Sequence, residues 1–287
     1  MILRTARILS ELIRINITLS VTFSAYAAIV LVSEKIIINL ISPLASIFLI
    51  ACGASVLNQY QERTQDAMMN RTKDRPIPSG RLSPQKALLI STLLLVSGLG
   101  ILIREQYWTC SILGIINLLW YNGLYTWLKK KSAFAVVPGA ISGVIPVFMG
   151  CTAAGGALLN PLILLLALFL FIWQIPHFWL LMLKFEDEYR LAGFPVMTDI
   201  FNIKQFKNII LAWMIGATGT SLFLVGSGLW ILLWSKIIII GLNMLILGFF
   251  FQQLMFATKL MYKIMAGIMN TFLLIVLIMI ILDKIFY

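Results

Sequence analysis

Charged residues are scarce in this sequence, and histidine and cysteine are scarcer still. Only 11% of the 287 residues are charged, 61% are hydrophobic, and the mean hydropathy is +0.98. A water-soluble domain of this length would not retain so much apolar surface, so the composition indicates a protein with many membrane spans. The three cysteines have no CxxC spacing. We therefore expect Cys52, Cys110 and Cys151 to be small buried apolar residues, with no disulfide framework and no Cys/His metal centre.

Apolar runs of about 20 residues, the length that crosses a bilayer as a helix, recur nine times. They predict an all-α, polytopic integral membrane protein with nine transmembrane helices around a central cavity. The chain is expected to form a single membrane domain, residues 1–287, with pseudo-repeat halves at 14–127 and 134–252. Residues Gly226–Gly228 mark the boundary where one longer helix also fits the pattern. The predicted spans are 14–33, 37–57, 86–103, 107–127, 134–153, 160–183, 207–227, 229–252 and 264–283.

The basic residues are distributed unevenly between the two sides that these spans define. Of the 22 Lys and Arg residues, only Lys35, Arg104, Lys236 and Lys284 fall on one side. By the positive-inside rule the other side is cytoplasmic. We therefore expect a multi-pass protein of a bacterial inner membrane, with the N-terminus and the polar loops in the cytoplasm and the C-terminus outside. The net charge of +11 does not indicate a nucleic-acid partner, because no soluble basic domain carries it.

The longest polar stretch, residues 58–80, follows the second span. Asn58, Glu62 and Asp66 are spaced four residues apart, so a helix would present them on one face. Arg71 and Arg75 repeat this spacing just beyond. The acids alone also fit an ordinary amphipathic helix end, but carboxylates beside two guanidinium groups favour a site for Mg²⁺ and a polyphosphate.

Two further stretches near the same predicted membrane face contain functional candidates. Tyr121 and Tyr125 precede Lys129–Lys131, where an aromatic belt and a positive membrane anchor are the commoner explanations. One of these lysines, Lys129 in our prediction, would instead project towards a diphosphate. The only histidine, His177, follows a proline inside span six. It is either a hydrogen-bonded residue at a helix kink or an intramembrane functional group.

A second acidic cluster follows the sixth span. Glu186, Asp187 and Glu188 stand side by side in a loop that is otherwise positive. A charged loop is usually a solvated face, but this sign reversal favours a local role such as binding a second Mg²⁺. Because the two acidic motifs are four spans apart, we expect them to face each other. The last three spans contain few polar groups and are expected to be lipid-facing walls.

These motifs resemble a known family. The pattern N-x3-E-x3-D-x4-R-T-x2-R-P-x3-G, residues 58–80, is similar to the first acidic motif of the UbiA-type intramembrane prenyltransferases. The V-P-G-A-x-x-G-x-x-P stretch of span five, the Y-T-x-L-K stretch after span four, and I-P-H-F at residues 175–178 are similar to the heme branch, the protoheme IX farnesyltransferases. The loop E-Y-x-x-A-G-x-P departs from that branch, since Glu188 replaces Asp and Val196 replaces Met. This leaves open whether Asp187 or Glu188 is the ligand.

The resemblance implies a Mg²⁺-dependent transfer of farnesyl from farnesyl diphosphate to a vinyl group of protoheme IX (heme B). The product would be heme O for terminal oxidases, with oxidase assembly factors or a downstream heme-modifying enzyme as further partners. It implies catalytic roles for Asn58, Glu62, Asp66, Asp187 and Glu188, with Asn58, Glu62, Asp66 and Glu188 as metal ligands. It further implies diphosphate contacts from Arg71, Arg75 and Lys129, and an acceptor site or prenyl channel at His177, Tyr121 and Tyr125.

Two other functions fit parts of the sequence. A UbiA-type enzyme that prenylates an aromatic quinone precursor would share the first motif but is expected to lack I-P-H-F and the E-Y-x-x-A-G-x-P loop. A nine-span transporter would place charged residues inside the spans. Here most of the charges, apart from His177, fall in the predicted cytoplasmic loops, which favours an enzyme that holds a charged head group and buries a lipid tail.

Overall fold

The computed structural model describes residues 2–33, 40–227, 230, 232–256 and 259–286. Every regular element in these residues is helical, because the apolar segments satisfy their backbone hydrogen bonds internally, as a bilayer requires. Eight of the helical stretches are long and apolar enough to cross a membrane. The prediction of an all-α, polytopic membrane protein is confirmed.

The α-helices follow one another along the chain, with a π-helical segment at Leu119–Tyr125 and short 3₁₀ turns at Ala133–Ala135 and Met197–Asp199. They are α1 (Ile2–Leu12), α2 (Ile15–Ser33), α3 (Ile41–Gln61), α4 (Arg63–Met68), α5 (Pro84–Arg104), α6 (Trp108–Leu118), α7 (Thr126–Leu128), α8 (Val136–Gly139), α9 (Ile141–Ala153), α10 (Pro161–Lys184), α11 (Glu186–Leu191), α12 (Ile203–Gly226), α13 (Leu233–Phe256) and α14 (Lys259–Ile285).

The region of the fourth predicted span is a composite helix. The elements α6, the π segment and α7 have 11, 7 and 3 residues and follow one another without a gap. At about 1.5 Å per residue their combined length is about 30 Å, the thickness of the hydrocarbon core. This stretch adds a ninth crossing to the eight candidate spans of the described chain. The π segment divides it because its turns are wider than those of the flanking α-helix.

Some predicted boundaries fall outside the described residues. The structure does not describe residues 37–39, at the start of the predicted span 37–57. It also does not describe residues 229 and 231, at the start of the predicted span 229–252. Gly228 of the predicted boundary at Gly226–Gly228 is also outside the description. On either side of it, α12 ends at Gly226 and α13 begins at Leu233.

The largest buried core surrounds α10, which packs against α9, α12 and α14. Helix α14 also packs against α2, and its Met265, Met269 and Phe272 are fully buried. The expectation that the last three spans are lipid-facing walls is therefore wrong for α14. Its apolar sequence looks the same whether lipid or protein surrounds it, so hydropathy does not distinguish the two environments.

Three connecting segments meet at one end of the helices. They are residues 62–83 between α3 and α5, residues 129–135 after α7, and residues 185–202 between α10 and α12. Side chains join them: the rings of Phe134 and Phe201 pack edge to face at 6.1 Å, and Arg71 contacts Glu188. Gly80 and Gly193 have φ of +72° and +76°, which glycine adopts without the steric cost of a side chain. The three segments together form the candidate active site.

Candidate active site

The first acidic motif lies at the end of α3 and continues into α4. The helix breaks at Glu62, where φ is −106° and ψ is 6°. The hydrogen bonds from Glu62 N to Asn58 O (3.0 Å) and from Asp66 N to Glu62 O (2.8 Å) bridge the break. The motif therefore keeps its four-residue spacing as predicted. Asn58, Glu62 and Asp66 are 0%, 6% and 1% exposed, so this is a buried polar site and not an amphipathic surface.

Lys129 pairs with Glu62. Its ammonium group forms an ion pair with the Glu62 carboxylate and lies 5.1 Å from the centre of the Tyr125 ring. Burial disfavours the charge on Glu62, but Lys129 and Arg14 outweigh this effect and hold the pKa of Glu62 below its ordinary value. Burial also lowers the pKa of Lys129, against the attraction of Glu62. Lys129 is thus a buried cation at the site, whereas Lys130 and Lys131 are exposed.

Arg75 pairs with Asp66 in the same way. Its Nη1 lies 2.7 Å from both carboxylate oxygens of Asp66, and the Thr72 hydroxyl donates to the Asp66 carbonyl at 2.8 Å. Burial and the charge of Arg14 lower the pKa of Arg75 to about 10, so it stays protonated at neutral pH. The predicted acids and basic residues therefore form two adjacent charge pairs, with Glu62 and Asp66 on one helix face.

Arg71 joins the two acidic motifs. Its backbone N–H donates to the Glu188 carboxylate at 2.9 Å, and its Nη2 donates to the Tyr189 hydroxyl at 3.2 Å. The guanidinium group lies over the rings of Phe185 and Tyr189, at 4.9 and 5.4 Å from their centres. The structure thus brings the loops after spans two and six together. Glu188 is the member of the second cluster that reaches the first motif.

The other acids of the second cluster have different surroundings. Glu186 accepts hydrogen bonds from Arg190 at 2.9 Å and from the hydroxyl of Thr198, and Arg190 also pairs with Asp199. These contacts tie α11 to the turn that precedes α12. Asp187 is exposed on the same short helix. Glu186 therefore stabilises the loop, whereas Glu188 contacts Arg71 of the first motif.

Arg14 belongs to this site and was missed by the sequence analysis. It lies between α1 and α2 with φ of +51°, an uncommon backbone conformation for a residue with a side chain. Its Nε is buried without a hydrogen-bond partner, and its positive charge acts on the neighbouring Glu62 and Arg75. Gln59 holds this junction by donating to the carbonyls of Glu11 and Leu12 at 2.9 and 2.8 Å. An arginine at the first residue of a predicted span was the available signal, but a positive flank explains it equally well.

The two tyrosines lie on the π segment, with ring centres 5.9 Å apart and planes 21° apart. Tyr125 packs on Gly139 of α8, where a Cβ atom would lie 2.5 Å from the ring. Only glycine leaves room for the ring here. The glycine of the V-P-G-A stretch therefore allows close approach of Tyr125 to α8, beside Lys129.

His177 lies in a different environment. Its ring stacks on Trp173 at 5.2 Å and 12°, and its Nδ1 contacts the Ala266 carbonyl of α14 at 3.2 Å. Trp173 donates to the next turn of α14, at the Met269 carbonyl (2.9 Å). The described contacts of His177 are thus with α10 and α14. The other candidate residues cluster at the loops: the acids, the two tyrosines, Arg14, Arg71, Arg75 and Lys129.

The donor set of the site suits a hard divalent cation. Within the described part of the chain no three His, Cys, Asp or Glu side chains lie close enough to hold a metal by themselves. Asn58 Oδ1 is buried without a hydrogen-bond partner, and the Glu62 carboxylate lies one turn away on the same face. Mg²⁺ takes oxygen ligands and commonly combines one or two carboxylates with phosphate oxygens of its substrate. These residues fit a metal held jointly with a phosphorylated ligand.

Comparison with known proteins identifies the family of this chain. Residues 19–281 match the model of the UbiA prenyltransferase family. The chain belongs to this family. The prediction of a membrane prenyltransferase is confirmed at this level, and so is the similarity to the heme branch of the family.

Relatives within the family are named protoheme IX farnesyltransferases. The one from Geobacter sulfurreducens is 42% identical over 155 residues, covering 54% of this chain and 57% of that protein. The one from Oleidesulfovibrio alaskensis is 36% identical and covers 66% of this chain and 67% of that protein. Protoheme IX farnesyltransferase 2 of Bacillus velezensis is 32% identical, with 75% and 70% covered. The matched segment thus spans little more than half of the Geobacter relative.

Solved structures share the fold of this UbiA-family chain. A digeranylgeranylglyceryl phosphate synthase matches 99% of the chain, and all of its own, with a TM-score of 0.77 and 17% identity. A UbiA homologue from Archaeoglobus fulgidus bound to GPP and Mg²⁺ matches 95% of the chain and 99% of its own, with a TM-score of 0.66 and 12% identity. At these identities the likeness shows the fold alone.

Proposed function

We propose that this UbiA-family chain transfers a farnesyl group from farnesyl diphosphate to a vinyl group of protoheme IX, with Mg²⁺, and forms heme O. The observation that carries the proposal is the convergence of Glu62, Asp66 and Glu188 with Arg71, Arg75 and Lys129 at the end of apolar helices. Protoheme as acceptor is supported by the names of the relatives. A prenyl diphosphate with Mg²⁺ is supported by the ligands of the Archaeoglobus homologue.

In this proposal the charged residues hold the diphosphate. Mg²⁺, when bound at Asn58, Glu62, Asp66 and Glu188, would neutralise the charge of the leaving diphosphate as a Lewis acid. Arg71, Arg75, Arg14 and Lys129 supply positive charge and hydrogen-bond donors to the same group. Because Arg75 and Lys129 are largely buried and are held by Asp66 and Glu62, little reorganisation is needed when the C–O bond breaks.

The prenyl chain and the acceptor are handled by the apolar part of the site. The apolar helices next to the charged loops exclude water from the allylic cation until it adds to the vinyl group of the acceptor. Water then adds to the carbocation left on the heme side chain and loses a proton, which gives the hydroxyl group of heme O. The faces of Tyr121 and Tyr125 are electron-rich and suited to a positively charged carbon. With Nδ1–H donated to Ala266, His177 keeps Nε2 as an acceptor and potential ligand, so we assign it to the heme side.

The proposed placement is a bacterial inner membrane with the three loops in the cytoplasm. The uneven distribution of Lys and Arg supports this orientation. Farnesyl diphosphate and heme would then enter from the cytoplasmic side or from the inner leaflet. Heme O would pass to a terminal oxidase, its assembly factors or a further heme-modifying enzyme.

Incubation of the purified protein in lipid nanodiscs with Mg²⁺, farnesyl diphosphate and heme B tests the proposal. Mass spectrometry is expected to detect a hydroxyethylfarnesyl heme, and chelation of Mg²⁺ is expected to abolish it. A parallel reaction supplies 4-hydroxybenzoate, a quinone precursor, in place of heme. Prenylated hydroxybenzoate without a heme product would contradict the heme assignment and favour the quinone branch of the family.

A further inference from the structure

A hydrogen-bonded chain connects α3 to the π segment beneath the candidate metal site. Asn58 Nδ2 donates to the hydroxyl of Thr126 at 3.1 Å, and this hydroxyl donates to the carbonyl of Tyr121 at 2.8 Å. Asn58 and Thr126 are 0% and 4% exposed. The chain therefore lies in a region where each donor and acceptor must find its partner within the protein.

The π segment makes this geometry possible. In an α-helix a threonine hydroxyl bonds to the carbonyl three or four residues earlier, as Thr218 does with Met214 and Ile215. Thr126 instead reaches back five residues to Tyr121, and its backbone N–H bonds to the same carbonyl. The wider turn thus directs the hydroxyl oxygen away from its own helix and towards Asn58.

The direction of these bonds fixes the orientation of the Asn58 amide. A hydroxyl has one hydrogen to donate, and Thr126 gives it to Tyr121. Its oxygen can then only accept, so Asn58 must present its NH₂ group to Thr126. The amide oxygen Oδ1 consequently points away from Thr126, and it is buried without any hydrogen-bond partner.

We infer that Thr126 is a positioning residue that turns Asn58 Oδ1 towards the cation bound with the prenyl diphosphate. This inference rests on the metal site of the proposed function and adds the residue that orients one of its ligands. Groups that orient metal ligands in this way commonly change metal affinity 10- to 100-fold when they are replaced. Thr126 does not touch the cation or the substrate in this arrangement; it acts through Asn58.

The packing of α3 on the π segment does not depend on Thr126 alone. Asn122 Nδ2 donates to the Ala54 carbonyl at 3.0 Å, and Gln61 Nε2 donates to the Asn122 carbonyl at 2.9 Å. These bonds hold the two elements together when the Thr126 hydroxyl is removed. The near-isosteric Thr126→Val change is therefore expected to preserve the fold.

Titration with Mn²⁺ followed by electron paramagnetic resonance tests the inference. The full chain in nanodiscs is saturated with farnesyl thiodiphosphate, a slowly reacting analogue. We expect Thr126→Val to weaken Mn²⁺ binding about 10-fold, and Thr126→Ser, which keeps the hydroxyl, to retain affinity close to wild type. Thr218→Val is the matched control, since the Thr218 hydroxyl bonds within α12.

Turnover assays provide a second measurement. In Thr126→Val the Mg²⁺ concentration for half-maximal rate should rise in parallel, while the KM for farnesyl diphosphate at saturating Mg²⁺ changes little.

A second variant separates ligand orientation from damage to the fold. Asn58→Asp offers an oxygen on both sides of the side chain, so Asn58→Asp combined with Thr126→Val should regain most of the lost Mn²⁺ affinity. Unchanged affinity in Thr126→Val, or equal losses in the Val and Ser variants, would overturn the inference, as would failure of the double variant to recover. Wild-type protein that binds no Mn²⁺ with the analogue would instead refute the metal site of the proposed function.

Discussion

The ammonium group of Lys129 lies against the carboxylate of Glu62 and joins the end of α3 to the segment that follows α7. The pair is largely buried, with 18% and 8% of the two side chains exposed. A buried pair of this kind is far more costly to break than a surface pair, because the remaining charge loses its partner without regaining water. The pair therefore links the stability of the site to its charge state.

Glu62→Gln is expected to lower the unfolding free energy by about 3 kcal/mol at neutral pH, since it leaves Lys129 buried without a counter-ion. The lowered pKa of Glu62 gives the sign of the pH dependence. The stabilisation is complete above the ordinary glutamate pKa of about 4.3 and is lost as pH falls through the lowered folded-state value. The measurement is the difference in unfolding temperature between wild type and Glu62→Gln, in detergent, between pH 7.5 and 3.5.

The matched control for that change is Glu105→Gln, at the opposite end of α5, where the acid is exposed and bonds to Ser42. It should leave the unfolding temperature near that of wild type at every pH. If the difference in unfolding temperature between wild type and Glu62→Gln stays constant from pH 7.5 to 3.5, ionisation of Glu62 is not the source of the stabilisation.

Asp66→Asn is expected to reduce prenyl transfer at least 100-fold while the protein stays folded. Asp66 is buried and bonds to Arg75 through both carboxylate oxygens, so the amide preserves its shape but removes its charge. Product formation is measured at increasing Mg²⁺ concentrations, with unfolding temperature as the check on folding. Activity close to wild type, with the same Mg²⁺ dependence, would remove Asp66 from the metal site.

Arg14→Gln is expected to raise the KM for farnesyl diphosphate about 10-fold with a smaller change in kcat. The buried, unpartnered Nε of Arg14 marks a donor that a diphosphate would satisfy. Arg7→Gln is the control, because Arg7 is exposed on α1 and pairs with Glu11. If both variants change KM equally, the effect comes from net charge and not from the position of Arg14.

His177→Ala is expected to weaken heme binding about 10-fold while leaving the affinity for farnesyl diphosphate within about twofold of wild type. Trp173→Phe provides the comparison, since it removes the neighbouring hydrogen bond to α14 and keeps an aromatic ring beside His177. Heme titrations followed by absorbance, and unfolding temperatures, are measured for both. A heme affinity that falls equally in the two variants would assign His177 to helix packing.

The predicted orientation can be tested with single introduced cysteines, because Cys52, Cys110 and Cys151 are all buried. Lys73→Cys lies in the loop of the first motif, and Leu159→Cys lies in the exposed turn before α10. A membrane-impermeant maleimide applied to spheroplasts should label Leu159→Cys and not Lys73→Cys. Lys73→Cys should react after the membrane is permeabilised; the reverse pattern would invert the topology.

Much of the site could be predicted because its spacing is local. Asn58, Glu62 and Asp66 keep one helix face even though α3 breaks at Glu62, since the hydrogen bonds across the break preserve a four-residue repeat. Arg71 and Arg75 were placed near these acids by sequence distance alone. The all-helical architecture, with nine crossings in the part of the chain that the structure describes, likewise follows from segment length and hydropathy.

The remaining features depend on contacts between distant segments. Arg14 reaches the site only because α1 and α2 meet at a sharp junction that Gln59 holds, and an arginine at a span boundary gives no sign of this. Thr126 matters because of a π segment, for which the sequence carries no periodic signal. The burial of α14 depends on which neighbours surround an apolar helix, and its composition is equally suited to lipid.

The hydrogen bonds from Trp173 and His177 to α14 have a consequence for biogenesis. Helix α14, with 27 residues, follows α10, α12 and α13 in the chain, so it leaves the ribosome after α10. Until α14 is made, Trp173 lacks the carbonyl of Met269 and His177 lacks the carbonyl of Ala266. The α10 face that α14 covers remains open to lipid. The wall that contains His177 is therefore completed only after α14 has been made, and a stop codon early in α14 would leave the charged loops formed beside an uncovered α10 face.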